Sequence, residues 1–241
     1  MTGPMQLARG EVHVWSVPLD VSPETSAGLY ETLGEDEQSR SARFRFERDR
    51  RRFIVARGSL RELLTHYLAT PPGQLRFVYN TFGKPGLSPE CGRGLRFNIS
   101  HSADLALIAI ALDAEVGVDL EHLRALPDYA EIARGFFSPA EVDELTRLPS
   151  GVQAQAFFSC WTKKEAYAKA RGEGLASNGT PPTGRWSQHT FQPAPGYVAA
   201  LVVEGVIPPG RILFCPNFPR TRSIARARPR SRSVSGPKIP S

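Results

Sequence analysis

The chain has 241 residues, 41% of them hydrophobic and 22% charged, with a formal net charge of +6. That length exceeds one typical domain and falls short of two full ones, and the composition excludes a disordered, collagen-like or coiled-coil protein over most of the chain. The charge says less about partners than it suggests: residues 220–241 hold six arginines, Lys238 and no acid, and without them 23 basic residues face 24 acidic ones.

Glu11 to Leu19 alternates (Val12, Val14, Trp15, Val17) and predicts a strand. Residues 35–69 are predicted to be helical, with Phe46, Phe53, Leu60 and Tyr67 recurring every seven residues as an apolar stripe among arginines. Nine arginines fall within residues 40–61 against Glu47 and Asp49, a cluster suited to an anionic ligand. Thr70-Pro71-Pro72-Gly73 breaks the helix, and Leu75 to Tyr79 predicts a strand. After a Gly/Pro-rich loop come Leu95 to Ile99, a polar corner at Ser100 to Asp104, and the strand Leu105 to Leu112. That eight-residue apolar run is the longest in the chain. It is far short of the ~20 residues a membrane span requires, so no membrane partner is expected.

Val116 to Leu120 predicts another strand, Ile132 to Leu148 one or two helices, and Gln153 to Ala170 an amphipathic helix ending at Gly172-Glu173-Gly174. Tyr197 to Val203 reads as a strand, and little beyond Pro208 has periodicity. The halves rhyme: a valine-rich strand, an acid-rich helical start (Glu35-Asp36-Glu37; Glu141 to Glu144), then a long helix with aromatic pairs. The expected division is an N-terminal half over 11–112, a C-terminal half over 113–208 and a basic, disordered tail over 209–241. Neither an export signal nor a cysteine pattern is evident. Cys91, Cys160 and Cys215 are scattered and lack metal-ligand spacing, which predicts a reduced, cytoplasmic protein.

GxSxG, GxGxxG before a helix, the P-loop, HExxH and CxxC pairs are all missing. Three features remain. On a strand, Asp119 and Glu121 share a face. Such a pair suits a hard cation such as Mg²⁺, although it also reads as a solvated strand end. On the helix, Trp161, Glu165 and Lys169 share one face, and the Glu–Lys spacing is also that of a surface ion pair. Phe97-Asn98-Ile99-Ser100-His101-Ser102 is polar between apolar strands and equally fits a turn that satisfies its own backbone.

In this order and with these gaps the strings resemble the 4′-phosphopantetheinyl transferase superfamily. The resemblance is closest to its longer, two-halved members, the type that activates surfactin synthetase. The matching stretches are Phe82-Gly83-Lys84-Pro85, Phe97 to Ser102, Gly117 to Glu121, Phe136-Phe137-Ser138, and Trp161 to Lys169 followed by Gly174-Leu175. The resemblance implies an α+β fold of two similar α/β halves, a pseudo-dimer within one chain with the active site in the cleft between them. It also implies Mg²⁺-dependent transfer of phosphopantetheine from coenzyme A to a serine of an acyl or peptidyl carrier protein, releasing 3′,5′-ADP.

By the same resemblance Asp119, Glu121 and Glu165 hold Mg²⁺, and Glu165 takes the serine proton. Lys169 pairs with the pyrophosphate, while Arg40, Lys84, Ser100 and His101 bind the nucleotide end of coenzyme A. Lys164 matches the motif but faces away from Glu165 and receives no role. The expected partners are coenzyme A and a carrier protein, with no nucleic acid, and the chain is expected to be a monomer. Between Leu175 and Tyr197 the 21 residues are rich in Gly, Pro and Ser where the family has an apolar strand, so the second half is expected to lack one. Two competing readings are a non-catalytic coenzyme A or carrier binder, and a nucleic-acid binder whose affinity resides in 220–241 and falls steeply with salt.

Overall fold

Two β-sheets lie face to face, each covered on its outer side by a long helix. The computed structural model describes residues 5–175 and 185–216. The strands are β1 (Val12–Pro18), β2 (Phe77–Tyr79), β3 (Pro85–Leu87), β4 (Leu95–Ser102), β5 (Leu105–Leu112), β6 (Val116–His122), β7 (Trp186–Phe191), β8 (Tyr197–Glu204) and β9 (Ile212–Cys215). The helices are α1 (Pro23–Tyr30), α2 (Glu35–Ser41), α3 (Glu47–Leu68), the single turn α4 (Pro89–Gly92), α5 (Tyr129–Phe136), α6 (Pro139–Arg147) and α7 (Ser150–Arg171). None of the described helices is long and apolar enough to cross a membrane.

The first sheet has the order β4-β5-β1-β9 and the second β6-β8-β7, with β2-β3 a separate hairpin. β5 is buried on both faces, which is why its sequence is an uninterrupted apolar run. Ala106, Ile108 and Ile110 pack under α3, whereas Leu107, Ala109 and Ala111 meet Val116, Val118, Leu120, Leu201 and Val203 of the second sheet. Ala200 and Val202 of β8 pack against Ala166 and Ala170 of α7. The same antiparallel neighbour pattern occurs twice, β1 beside β5 beside β4 and β6 beside β8 beside β7. In each set a helix of 22 residues stands between the first strand and the pair that follows.

Four expectations need correction. Residues 35–69 are two helices, because α2 turns back onto α3 after Ser41. The turn buries Glu37 between two guanidiniums: Arg57 Nε lies 2.8 Å from Oε1 in an ionic contact, and Arg61 Nε donates to Oε2 at 2.5 Å. Phe46 consequently caps the start of α3 and is 60% exposed, outside the apolar stripe. Ser100 to Ser102 continue strand β4 and the corner shrinks to Ala103-Asp104, because all three residues keep partners on β5.

The strand thought missing from the second half is present as β7. Its alternation is hidden because Ser187 and His189, the half-buried residues between exposed Gln188 and Thr190, are themselves polar. Finally, order does not stop at Pro208. Pro209–Arg211 form a 3₁₀ turn, and Ile212–Cys215 pair in parallel with Val12–Trp15, with Ile212 buried between the sheets. The arginine-rich stretch 220–241 lies outside the described residues.

Candidate active site

β6 presents Gly117, Asp119 and Glu121 on the face opposite its inter-sheet valines, so all three look toward α7. Gly117 sets the approach of the two elements. A Cβ there would lie 2.0 Å from the Ala166 carbonyl oxygen and 2.3 Å from the Ala170 nitrogen, so only glycine fits. The close approach brings Lys169 onto Asp119, Nζ to Oδ1 at 2.5 Å.

Strand β4 supplies the third side. Its alternate residues Asn98, Ser100 and Ser102 carry polar side chains toward β6. Asn98 Oδ1 accepts from the Val118 N–H at 2.9 Å, and Ser102 Oγ accepts from the His122 N–H at 3.1 Å. Between them, Ser100 Oγ donates to Asp119 Oδ1 at 2.9 Å and accepts from Lys169 Nζ at 3.0 Å. Asp119 is 4% exposed, and its second oxygen, Oδ2, is buried without a partner. Glu121 accepts from Ser102 Oγ at 3.1 Å and from Arg124 at 3.2 Å.

Glu165 stands one turn before Lys169. Burial pushes its carboxyl up; Lys169 opposes this, and the Asp119 and Glu121 charges push it further up. Three carboxylates therefore feel one another around one ammonium, a net-negative setting that suits proton transfer and the binding of a cation. The donors are hard oxygens, and an orphaned buried carboxylate oxygen is the group a divalent cation satisfies. Among the described residues no three His, Cys, Asp or Glu side chains stand close enough to form a ready-made cage. Mg²⁺ does not need one, since it takes one or two carboxylates and fills its remaining positions with water and phosphate oxygens. The residues fit that ion.

Of the residues singled out from sequence, Ser100, Asp119 and Lys169 form one connected cluster, with Glu165 and Glu121 coupled to it by charge. Others stand apart. His101 is exposed, on the β4 face opposite Ser100, and Arg40 is exposed on α2 with its guanidinium 5.3 Å from the centre of the Phe53 ring. Lys84 pairs with Glu115 at 2.9 Å.

The Phe136-Phe137-Ser138 string has a structural role. Phe137 stacks on Phe157, Phe136 meets Trp161 edge-on, and Ser138 caps α6. Lys164, left without a role from sequence, joins α7 to α6 by pairing with Glu141 at 2.9 Å. Sequence reading missed Gly117 and Asn98 as parts of the site. The alternation Asn98, Ser100, Ser102 was the available signal for the second.

Comparison with known proteins agrees in extent with this arrangement. A family model described as the 4′-phosphopantetheinyl transferase superfamily matches residues 115–196, and one described as 4′-phosphopantetheinyl transferase, N-terminal, matches residues 21–113. The 4′-phosphopantetheinyl transferase HetI of Nostoc sp. is 44% identical over 173 residues, which is 71% of this chain and 73% of that protein. A putative 4′-phosphopantetheinyl transferase of Synechocystis sp. is 36% identical over 68% of this chain and 65% of its own length. The 4′-phosphopantetheinyl transferase AcpT of Escherichia coli K12 is 36% identical over 112 residues, 46% of this chain and 55% of its own.

Proposed function

We propose, because this chain belongs to the 4′-phosphopantetheinyl transferase superfamily, that the Ser100–Asp119–Glu165–Lys169 cluster transfers phosphopantetheine from coenzyme A to a serine of an acyl or peptidyl carrier protein. The observation that carries the reading is the convergence of β4, β6 and α7 on Asp119, an acid almost wholly buried beside an ammonium. The doubled strand-and-helix pattern supports two related halves with the reaction placed in the cleft between them.

In this reading the carrier serine oxygen attacks the pyrophosphate phosphorus that bears the pantetheine arm. A new P–O bond forms, the bond to the bridging oxygen breaks, and 3′,5′-ADP leaves with the electron pair. Glu165 takes the serine proton, a task favoured by the burial that raises its proton affinity. Lys169 moves its charge from Asp119 onto the phosphate oxygens of the departing nucleotide. Asp119, Glu121 and Glu165 are the residues that would hold Mg²⁺, which when bound neutralises pyrophosphate charge. Ser100 orients Asp119 and Lys169 on the nucleotide side, and the exposed Arg40 and His101 offer a cation and a donor for the 3′-phosphate. The reading assigns the protein to the cytoplasm as a monomer, with Cys91, Cys160 and Cys215 unpaired.

The test mixes purified protein, coenzyme A and Mg²⁺ with a panel of apo carriers and weighs the products. The expected result is a carrier heavier by one phosphopantetheine together with 3′,5′-ADP. Coenzyme A bound tightly but never consumed with any carrier would instead mark a non-catalytic binder.

A further inference from the structure

The turn between β2 and β3 reaches across to the far end of α7. Asn80 is its centre. The side-chain oxygen of Asn80 accepts from the Phe82 and Lys84 N–H groups at 3.0 and 2.9 Å, which locks the turn. Its side-chain nitrogen donates to the Gly172 carbonyl at 2.6 Å. The Lys84 ammonium donates to the Ala170 carbonyl at 2.8 Å, to Glu115 at 2.9 Å and to the Val116 carbonyl at 3.4 Å. An ammonium has three donors, and here each has an acceptor in the fold. The Lys84 side chain is only 16% exposed.

The acceptors matter as much as the donors. The last four carbonyls of a helix have no partner within it and attract positive charge. In α7 the Ala170 carbonyl is met by Lys84 and the Gly172 carbonyl, just past the helix, by Asn80. Gly172 ends the helix at φ +70°, and a Cβ there would lie 2.7 Å from the Asn80 amide nitrogen. Lys169, which touches Asp119, is the residue immediately before Ala170. Lys84 also holds the entry to β6 through Glu115, just before the strand, and Val116, its first residue, four and three positions before Asp119. One side chain thus grips both elements that supply the charged pair.

We propose that the Asn80–Lys84 turn is a positioning clamp: Asn80 and Lys84 hold the C-terminal end of α7 against the start of β6, which keeps the base of the Lys169 side chain beside Asp119 and its ammonium within reach of the phosphate oxygens. Lys84 then acts through α7 and β6 and is not a ligand of the nucleotide. The kinetic part rests on the transferase reading above; the clamp itself does not.

The test compares the full-length protein with Asn80→Ala, Lys84→Met and Lys84→Arg. Amide hydrogen exchange over residues 166–173 is followed together with kcat and the KM for coenzyme A. In Lys84→Met, Glu115 keeps Arg96 as a partner at 3.1 Å, so no isolated carboxylate results. Asn80→Ala removes only neutral hydrogen bonds and serves as the second probe should Lys84→Met fold poorly. The expected result in both is exchange at least tenfold faster in the last turn of α7, with β1 and β5 unchanged. With it, kcat falls at least tenfold, the KM for coenzyme A stays within threefold, and Lys84→Arg recovers part of the loss.

Unchanged exchange at 166–173 in both variants overturns the clamp. A tenfold rise in KM at unaltered kcat also overturns it and makes Lys84 a nucleotide ligand. If the wild-type protein modifies no carrier, the transferase reading fails, and the exchange measurement still decides the clamp.

Discussion

Glu165 and Lys169 have the spacing of a surface pair that stabilises a helix by only about 0.2–0.5 kcal/mol. Their surroundings are not those of a surface pair, since Lys169 is ion-paired with Asp119 and Glu165 is partly buried among ionised neighbours. Glu165→Gln is therefore expected to leave the unfolding midpoint within about 2 °C and to lower kcat by at least about 100-fold. A loss below tenfold would return Glu165 to a structural role. Gly117 is tested by stability. Alanine there cannot enter without pushing β6 off α7, so Gly117→Ala is expected to lose about 1–3 kcal/mol in urea denaturation and to reduce transfer as Lys169 is moved from Asp119. A variant as stable as the wild type would show that α7 slides without cost. Asp119 with Glu121, and Glu165 with Lys169, were legible because strand and helix periods place them side by side within one element. For Asn98 only the alternation with Ser100 and Ser102 was legible, and its partner was not, being a backbone N–H 20 positions away on another strand.

The break between α2 and α3 was illegible for a related reason. Ala42-Arg43-Phe44-Arg45-Phe46 contains no proline or glycine, and nothing local ends a helix there. The helix ends because Glu37 can be buried only when folded back onto Arg57 and Arg61. A carboxylate so enclosed must keep its partners. The end of α5 was more legible, because Ser138-Pro139 with Glu141 is a capping box that can be read directly. Glu141 also permits a prediction about pH. Burial pushes its carboxyl up, but hydrogen bonds from Lys164 and Ser138 outweigh that and hold it below the usual range. A carboxyl that binds its proton less readily when folded stabilises the fold above its unfolded pKa, about 4.3, and loses that contribution as pH falls through the lower folded value. Wild type should exceed Glu141→Gln in urea midpoint at pH 7 by a margin equivalent to a fraction of a kcal/mol, because the pair is partly exposed. The margin should close near pH 3. An equal margin at both values would mean the effect is not that of the ionised carboxylate.

At the scale of the whole molecule, the apolar layers were legible from β1, β5, β6 and β8, whose valines and isoleucines alternate or run continuously. The pairing of β9 with β1 was not, because four residues preceded by Pro208-Pro209-Gly210 carry too little pattern to reveal a partner some 200 positions earlier in the chain. That pairing reverses an expectation about the end of the chain. A protein ending at Pro208 would leave an edge of β1 bare and the place of Ile212 between the sheets unfilled. Its midpoint should fall by at least about 4 °C in a thermal scan. An unshifted midpoint would make residues 209–216 dispensable.

The ladder between Val12–Trp15 and Ile212–Cys215 also orders events in time. Chains are synthesised from the N-terminus at about 5–20 residues per second, so β1 leaves the ribosome on the order of 10 s or more before β9. Through that interval β5 can pair with one side of β1 while the other side stays open to any extended segment nearby, including the same strand on a neighbouring nascent chain. β1 is thus made long before the strand that completes its pairing.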